Sequence, residues 1–211
     1  MKLHQYNTNI FDEFRIKCNK CSGLCCTALY FSKYDGFPAD KAAGIPCSYL
    51  DDCFRCSIHK ELHSRHMKGC LAYDCCGAGQ AVTIAQEVFD VFVKTYYLQQ
   101  ILWYMSEVLT LLPAKPLWAE ADSCIKELHL LLKSTPQIIL DFDMEVCRTK
   151  VNALLNKAWI MVKQQVGHPK DTAGKKDFMG HNFKKSRLNG CDFSSALLIA
   201  ANLEECDLTG C

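Results

Sequence analysis

The side chains able to do chemistry are concentrated in one stretch. Between Cys18 and Cys76 lie ten of the fifteen cysteines. They run Cys18-x-x-Cys21-x-x-x-Cys25-Cys26, then Cys47, Cys53-x-x-Cys56, Cys70 and Cys75-Cys76. Thiols this dense are cross-linked, metal-bound or kept reduced. The N-terminus, MKLHQYNTNIFDEF, has neither the apolar run nor the small-residue cleavage site of a secretory signal. A cytoplasmic location is therefore expected, and a reducing cytosol does not sustain a permanent disulfide framework. An odd count also rules out complete pairing within the chain. Ligation of a metal or an iron–sulfur cluster by thiolates is the expectation that follows.

The spacing supports it physically. Two thiolates separated by two residues, as in Cys18-x-x-Cys21, can turn back on one cation about 2.3 Å from each sulfur. Gly23 supplies backbone freedom for the turn that brings Cys25 and Cys26 round. Adjacent side chains diverge, so Cys25 and Cys26 both ligate only in an unusual local backbone or by serving different metals. Four ligands close a tetrahedral site, and ten cysteines are enough for two such sites. The bland alternative, a cysteine acting as a small buried hydrophobe, suits isolated Cys124 and Cys147. It does not suit Cys18–Cys26, set among Asn19, Lys20, Ser22 and Gly23.

The stretch resembles the CxxCxxxCC family of bacterial and archaeal domains described as zinc- or iron-chelating. The likeness rests on Cys18-x2-Cys21-x3-Cys25-Cys26, an apolar-aromatic segment, Cys47, the element Cys56-Ser57-Ile58-His59, Cys70 and Cys75. Carried over position by position, it implies eight metal ligands: Cys18, Cys21, Cys25, Cys26, Cys47, Cys56, Cys70 and Cys75. Cys53 and Cys76 are left as extras. The cofactor implied is zinc or iron, with a [4Fe–4S] cluster as the alternative, because some relatives attach such a domain to an enzyme. His59, His63 and His66 would share one face of any helix between Cys56 and Cys70. Imidazole is a common ligand, yet His63 and His66 sit in the polar run KELHSRHMKG, which reads as a solvated face.

The elements that must position these thiols fall into four segments. Residues 1–82 form a loop-rich cysteine module. Phe11 and Phe14 are apolar anchors, Tyr30-Phe31 begins a short strand, and Asp35-Gly36, Pro38, Gly44 and Pro46 punctuate a loop. Such a module has little core of its own and suits a fold held by metal. Residues 83–167 read as a helical bundle. Its first helix starts at Thr83, with Gln86 completing a capping box, and stops before Pro113. A second, about 117–133, carries Leu117, Ala121, Ile125, Leu128 and Leu132 on one face. Ser134-Thr135-Pro136 breaks the chain, with Thr135 placed to cap a short helical turn. A third helix, about 143–166, has the stripe Val146, Val151, Leu154, Leu155, Ala158, Met161 and Val162, and Gly167 follows as its stop. Asp141, Asp143 and Glu145 read as charges and caps at a helix start.

Residues 168–177 are a polar linker, and 178–211 carry a strict five-residue period. Phe183, Leu188, Phe193, Leu198, Leu203 and Leu208 recur every fifth position. A small residue (Ser186, Cys191, Ala196, Ala201, Cys206) stands two before most of them, and a mostly polar one stands immediately before. Neither 3.6 nor 2 gives this period, so the pattern points to a stacked repeat. It resembles the pentapeptide-repeat family, with Ala201-Asn202-Leu203 the clearest instance. That resemblance implies a right-handed quadrilateral β-helix, with Cys191 and Cys206 pointing inward in place of alanine. An array ending at Cys211 is expected to continue beyond this sequence or to finish on the neighbouring helices.

The expected fold class is therefore mixed and multidomain: a metal-stapled cysteine module, a helical bundle and a short β-helix. The combination resembles bacterial proteins known as pentapeptide-repeat-containing, which implies a scaffold for a protein partner. A net charge of +1 gives no nucleic-acid signal. The most apolar stretch, Val88 to Leu112, is interrupted by Asp90, Lys94, Gln99, Gln100 and Glu107, too many polar groups for a membrane span. No catalytic constellation is evident. Three functions remain: a metal-binding protein with an interaction scaffold, an iron–sulfur or iron enzyme acting on a peptide or protein, and a thiol-redox protein using Cys53-x-x-Cys56 or Cys75-Cys76.

Overall fold

The computed structural model describes residues 3–5, 7–82, 88–166 and 176–211. Its helices, in chain order, are α1 (Leu24–Ala28), α2 (Lys68–Ala72), α3 (Ala78–Ala81), α4 (Val88–Val108), α5 (Trp118–Leu132), α6 (Pro136–Asp141) and α7 (Met144–Val166). Short 3₁₀ turns at Thr8–Phe14, Cys18–Lys20, Lys33–Asp35, His59–Glu61 and Leu112–Leu117 join them. The capping box at Thr83 and Gln86, the stop at Gly167 and most of the linker 168–177 lie outside the described residues. Packing divides the chain into two units. One comprises 1–6, 108–121 and 148–211; the other comprises 7–107 and 122–147.

The unit of 7–107 and 122–147 holds the cysteine stretch. Phe92, Leu98, Leu102 and Met105 of α4 are fully buried, at helical spacing. Thr95, Gln99 and Ser106 of α4 are buried too, so this helix is enclosed on more than one face. Cys124 and Leu128 of α5 are buried, and Cys124 fills the small-hydrophobe role. At the start of α7 the buried residue is Cys147, whereas Val146, placed on the stripe by sequence, is exposed. The Asp143 carboxylate accepts from the Glu145 and Val146 amides at 2.9 and 3.1 Å, the cap expected there. Thr135 stands at the N-cap of α6 without a side-chain capping bond. Two local readings are corrected. Phe31 makes a single antiparallel bridge to Lys41, not a strand. The segment carrying His59, His63 and His66 is a 3₁₀ turn followed by further turns, with His66 at φ 55°, so the three imidazoles share no helix face.

In the other unit, Trp118 Nε1 donates to the carbonyls of Val108 and Leu111 at 3.0 and 3.2 Å, satisfying backbone acceptors where α4 ends. Leu112 N donates to Leu3 O at 2.9 Å. Val151, Leu154, Ala158 and Val162 form the buried stripe of α7.

The expected β-helix is not seen: among the described residues there is no β-strand and no sheet, and regular structure is helical. The cause lies in the repeat itself. Gly180, Lys185, Gly190, Ser195, Ala200, Glu205 and Gly210 all have positive φ, between 56° and 73°. A left-handed residue at every fifth position turns the chain before an extended run can form. Among the described residues of the array, β-bridges are therefore single and parallel, Asp177 to Leu197, Asn182 to Asn202 and Arg187 to Asp207. The polar position of the repeat now has a physical role. Asp177, Asn182, Asp192, Asn202 and Asp207 each accept, at 2.8–3.0 Å, from the amide two residues on, a turn that Asn and Asp make readily. Phe178, Phe183, Leu188 and Cys191 form the buried core of the array. Phe178 lies one period ahead of the first position picked out by sequence.

Candidate functional site

The first cysteine motif is shaped by two turns. Cys21 N closes the 3₁₀ turn on Cys18 O at 3.2 Å. Gly23, at φ 67°, then starts α1, whose first turn carries Cys25 and Cys26. A Cβ on Gly23 would lie 2.8 Å from Leu50 Cδ1, so glycine is needed there for conformation and room. Later cysteines are tied back to this turn. Arg55 donates to the carbonyls of Cys18 and Asn19 at 2.7 and 3.0 Å. Cys47 N donates to Cys26 O at 3.0 Å, and Leu50 bridges to Cys56. Gln80 of α3 accepts from Lys17 N at 2.6 Å and donates to Arg15 O at 3.1 Å.

These ties surround a cavity of about 570 Å³. Cys18, Cys21, Cys25 and Cys26 line it from the first motif, and Cys56, Cys70 and Cys75 from the later segments. Seven of the eight sequence-selected thiols thus face one space. Cys47 does not line it and is held alongside through Cys26. The extras Cys53 and Cys76 also stay off its walls. Of the three histidines, His59 reaches the cavity, while His63 and His66 are exposed and do not. All ten cysteines of the stretch are free thiols.

Two packing groups can be distinguished. Cys21, Cys25 and Cys75 lie with Leu24, Ala28, Ala78 and Phe92. Cys56 and Cys70 lie with Phe37, Ile58 and Met67. Gly79 makes the first group possible, because a Cβ there would stand 2.7 Å from Cys21 Sγ.

Electrostatics follow the same geometry. Burial pushes the Cys70 thiol up to about 12, with Cys26, Cys47 and Cys56 adding to it. Burial also raises Cys56, with Cys26 and Cys47 contributing. Cys18 is raised by burial and then by Cys75, Cys21 and Cys26. Cys25 and Cys26 lie Sγ to Sγ at 4.0 Å. The hydrogen bond between them raises Cys25 and lowers Cys26 to about 7, and the Lys41 charge helps Cys26 further. Lys41 is held by donating to the carbonyls of Thr27, Ala42 and Ile45 at 3.2, 3.0 and 2.6 Å. Tyr73, which also lines the cavity, has a buried hydroxyl with no hydrogen-bond partner among the described residues. Burial raises its pKa, followed by Cys25 and Cys75.

The chemistry of the donor set fits a thiophilic cation: reduced thiols on one cavity, a cradle at Gly79 with no room for a side chain, and an orphaned buried hydroxyl beside the sulfurs. As placed, however, no three His, Cys, Asp or Glu side chains among the described residues are gathered closely enough to hold a metal ion. Lys41, Arg55, Tyr73 and Gln80 were not singled out by sequence.

The family model for pentapeptide repeats matches residues 177–211, in eight copies. The chain is 35% identical over 176 residues to the "Uncharacterized protein YybG" of Bacillus subtilis (strain 168), an alignment covering 77% of this chain and 63% of that protein. The chain therefore spans less than two thirds of the length of this relative. No solved structure matches it. No helix among the described residues is long and apolar enough to cross a membrane.

Proposed function

We propose that the protein binds a zinc- or iron-class metal through the thiolates of its cysteine stretch and uses its pentapeptide repeats as a scaffold for a protein partner. The observation carrying the first half is that seven free thiols line one cavity, whose wall also holds a buried hydroxyl with no partner among the described residues. Soft thiolate donors select zinc, iron and iron–sulfur clusters over hard cations such as magnesium. The resemblance of the motif to the CxxCxxxCC family points the same way. When bound, the metal would supply a cross-link to a segment that has only short turns of regular structure. The repeats support the second half, since stacked repeats offer an extended surface that serves recognition.

The test is metal and acid-labile sulfide content, with a visible spectrum, on protein purified without oxygen. Stoichiometric zinc and a colourless solution are the expected result. A brown protein absorbing near 400 nm, about the range of thiolate-bound iron–sulfur clusters, would move the reading to an iron–sulfur enzyme. A metal-free protein that exchanges disulfides through Cys53 and Cys56 would replace it with a thiol-redox function.

A further inference from the structure

Resting on the metal-binding reading, we infer that the eight cysteines form two separate all-thiolate sites, one of Cys18, Cys21, Cys25 and Cys75, the other of Cys26, Cys47, Cys56 and Cys70, divided at the Cys25–Cys26 peptide. Consecutive side chains leave a helix about 100° apart, and the Cys25 and Cys26 sulfurs, 4.0 Å from each other, stand at the divide. On the Cys25 side, Cys21 and Cys75 pack in the same apolar group, beneath Gly79. Cys18 joins them through the 3₁₀ turn that it closes with Cys21. On the Cys26 side, the backbone bond from Cys47 to Cys26 and the bridge from Leu50 to Cys56 bring the second segment in. Cys56 and Cys70 then pack together against Phe37, Ile58 and Met67.

Four thiolates complete a tetrahedral zinc-type site, and each set holds four. Drawing each set onto a cation requires movement only of turns and of the five-residue helices α1 and α2. Lys41, placed beside Cys25, Cys26 and Cys47, offsets part of the negative charge that eight thiolates around two dications would carry.

The experiment uses the full chain, stripped of metal, reduced and titrated with cadmium-113. Two bound equivalents and two resonances, both in the all-thiolate range, are expected. Cys75→Ser should remove or shift one resonance and Cys70→Ser the other, while Cys53→Ser and Cys76→Ser keep both. A single resonance, a mixed sulfur–nitrogen site, or loss of the same resonance in both the Cys75 and Cys70 variants would overturn the division while leaving metal binding intact. Absence of bound cadmium in the unsubstituted chain would overturn the metal reading itself. The spectrum of that unsubstituted chain decides the question even if a variant fails to fold.

Discussion

The Tyr73 hydroxyl is the residue on which the metal reading makes its sharpest demand. A buried hydroxyl without a partner is destabilising, and this one lies among sulfurs that become strong acceptors once ionised. Tyr73→Phe is therefore expected to act with opposite signs in two states. The metal-free protein should keep its melting temperature or gain slightly. The metal-loaded protein should bind metal about tenfold more weakly, the size of a lost hydrogen bond to a charged group, ~1.5 kcal/mol. Isothermal titration with zinc on both proteins checks this, and equal affinities would mean the hydroxyl serves no thiolate. Seven of the eight thiols that the family resemblance implies line one cavity, and the resemblance could single them out because a motif's spacing is local to the sequence. Tyr73, Lys41 and Arg55 were not legible there, because what brings them to the site is packing and long-range backbone bonds, such as the Arg55 donation to Cys18 across 37 residues. The helix face proposed for His59, His63 and His66 failed for a related reason: spacing alone cannot show that the chain turns at His66.

At the scale of elements, the long helices follow apolar periodicity closely. Of the residues expected on their inner faces, Ala121 and Leu128 of α5 and Val151, Leu154, Ala158 and Val162 of α7 are buried, Ile125, Leu132, Leu155 and Met161 are half-buried, and Val146 gives way to Cys147. The repeats were legible as a period but not as a backbone. The left-handed conformation falls on Lys185, Ser195, Ala200 and Glu205 as well as on glycines, so composition does not announce it. The turns between them depend on Asp and Asn acceptors, and that dependence is testable by pH. Asp192 and Asp207 are held below the usual carboxylate range mainly by bonds to the backbone and side chain of Ser194 and Thr209. A carboxyl depressed in the folded state stabilises fully above its unfolded value, about 3.9. That contribution is lost as pH falls through the folded value. Amide exchange in residues 190–210 should accordingly quicken below about pH 4. Asp207→Asn, which can still accept the Thr209 amide, should keep the turn and remove its share of the pH dependence. Unchanged acid sensitivity in that variant would place the effect elsewhere.

At the scale of the whole molecule, the two packing units have different sources of order. Residues 7–107 and 122–147 include a segment of short turns around thiols, whereas the repeats carry their own apolar core of Phe178, Phe183, Leu188 and Cys191. A zinc chelator added to the loaded protein should therefore speed amide exchange across residues 18–76 and leave the repeat amides unchanged within error. Equal acceleration in both would show that the repeats depend on the metal as well. The bridges that join residues twenty apart in the array have a further consequence for how such a chain can change over time. A gain or loss of one residue would set the apolar positions out of step with the left-handed ones and misalign every bridge beyond it. Five residues would restore the local turn but place each side chain above a different neighbour. Heritable variation in the length of this segment should consequently be quantised, with whole pentapeptides inserted or lost together and sets of four tolerated best.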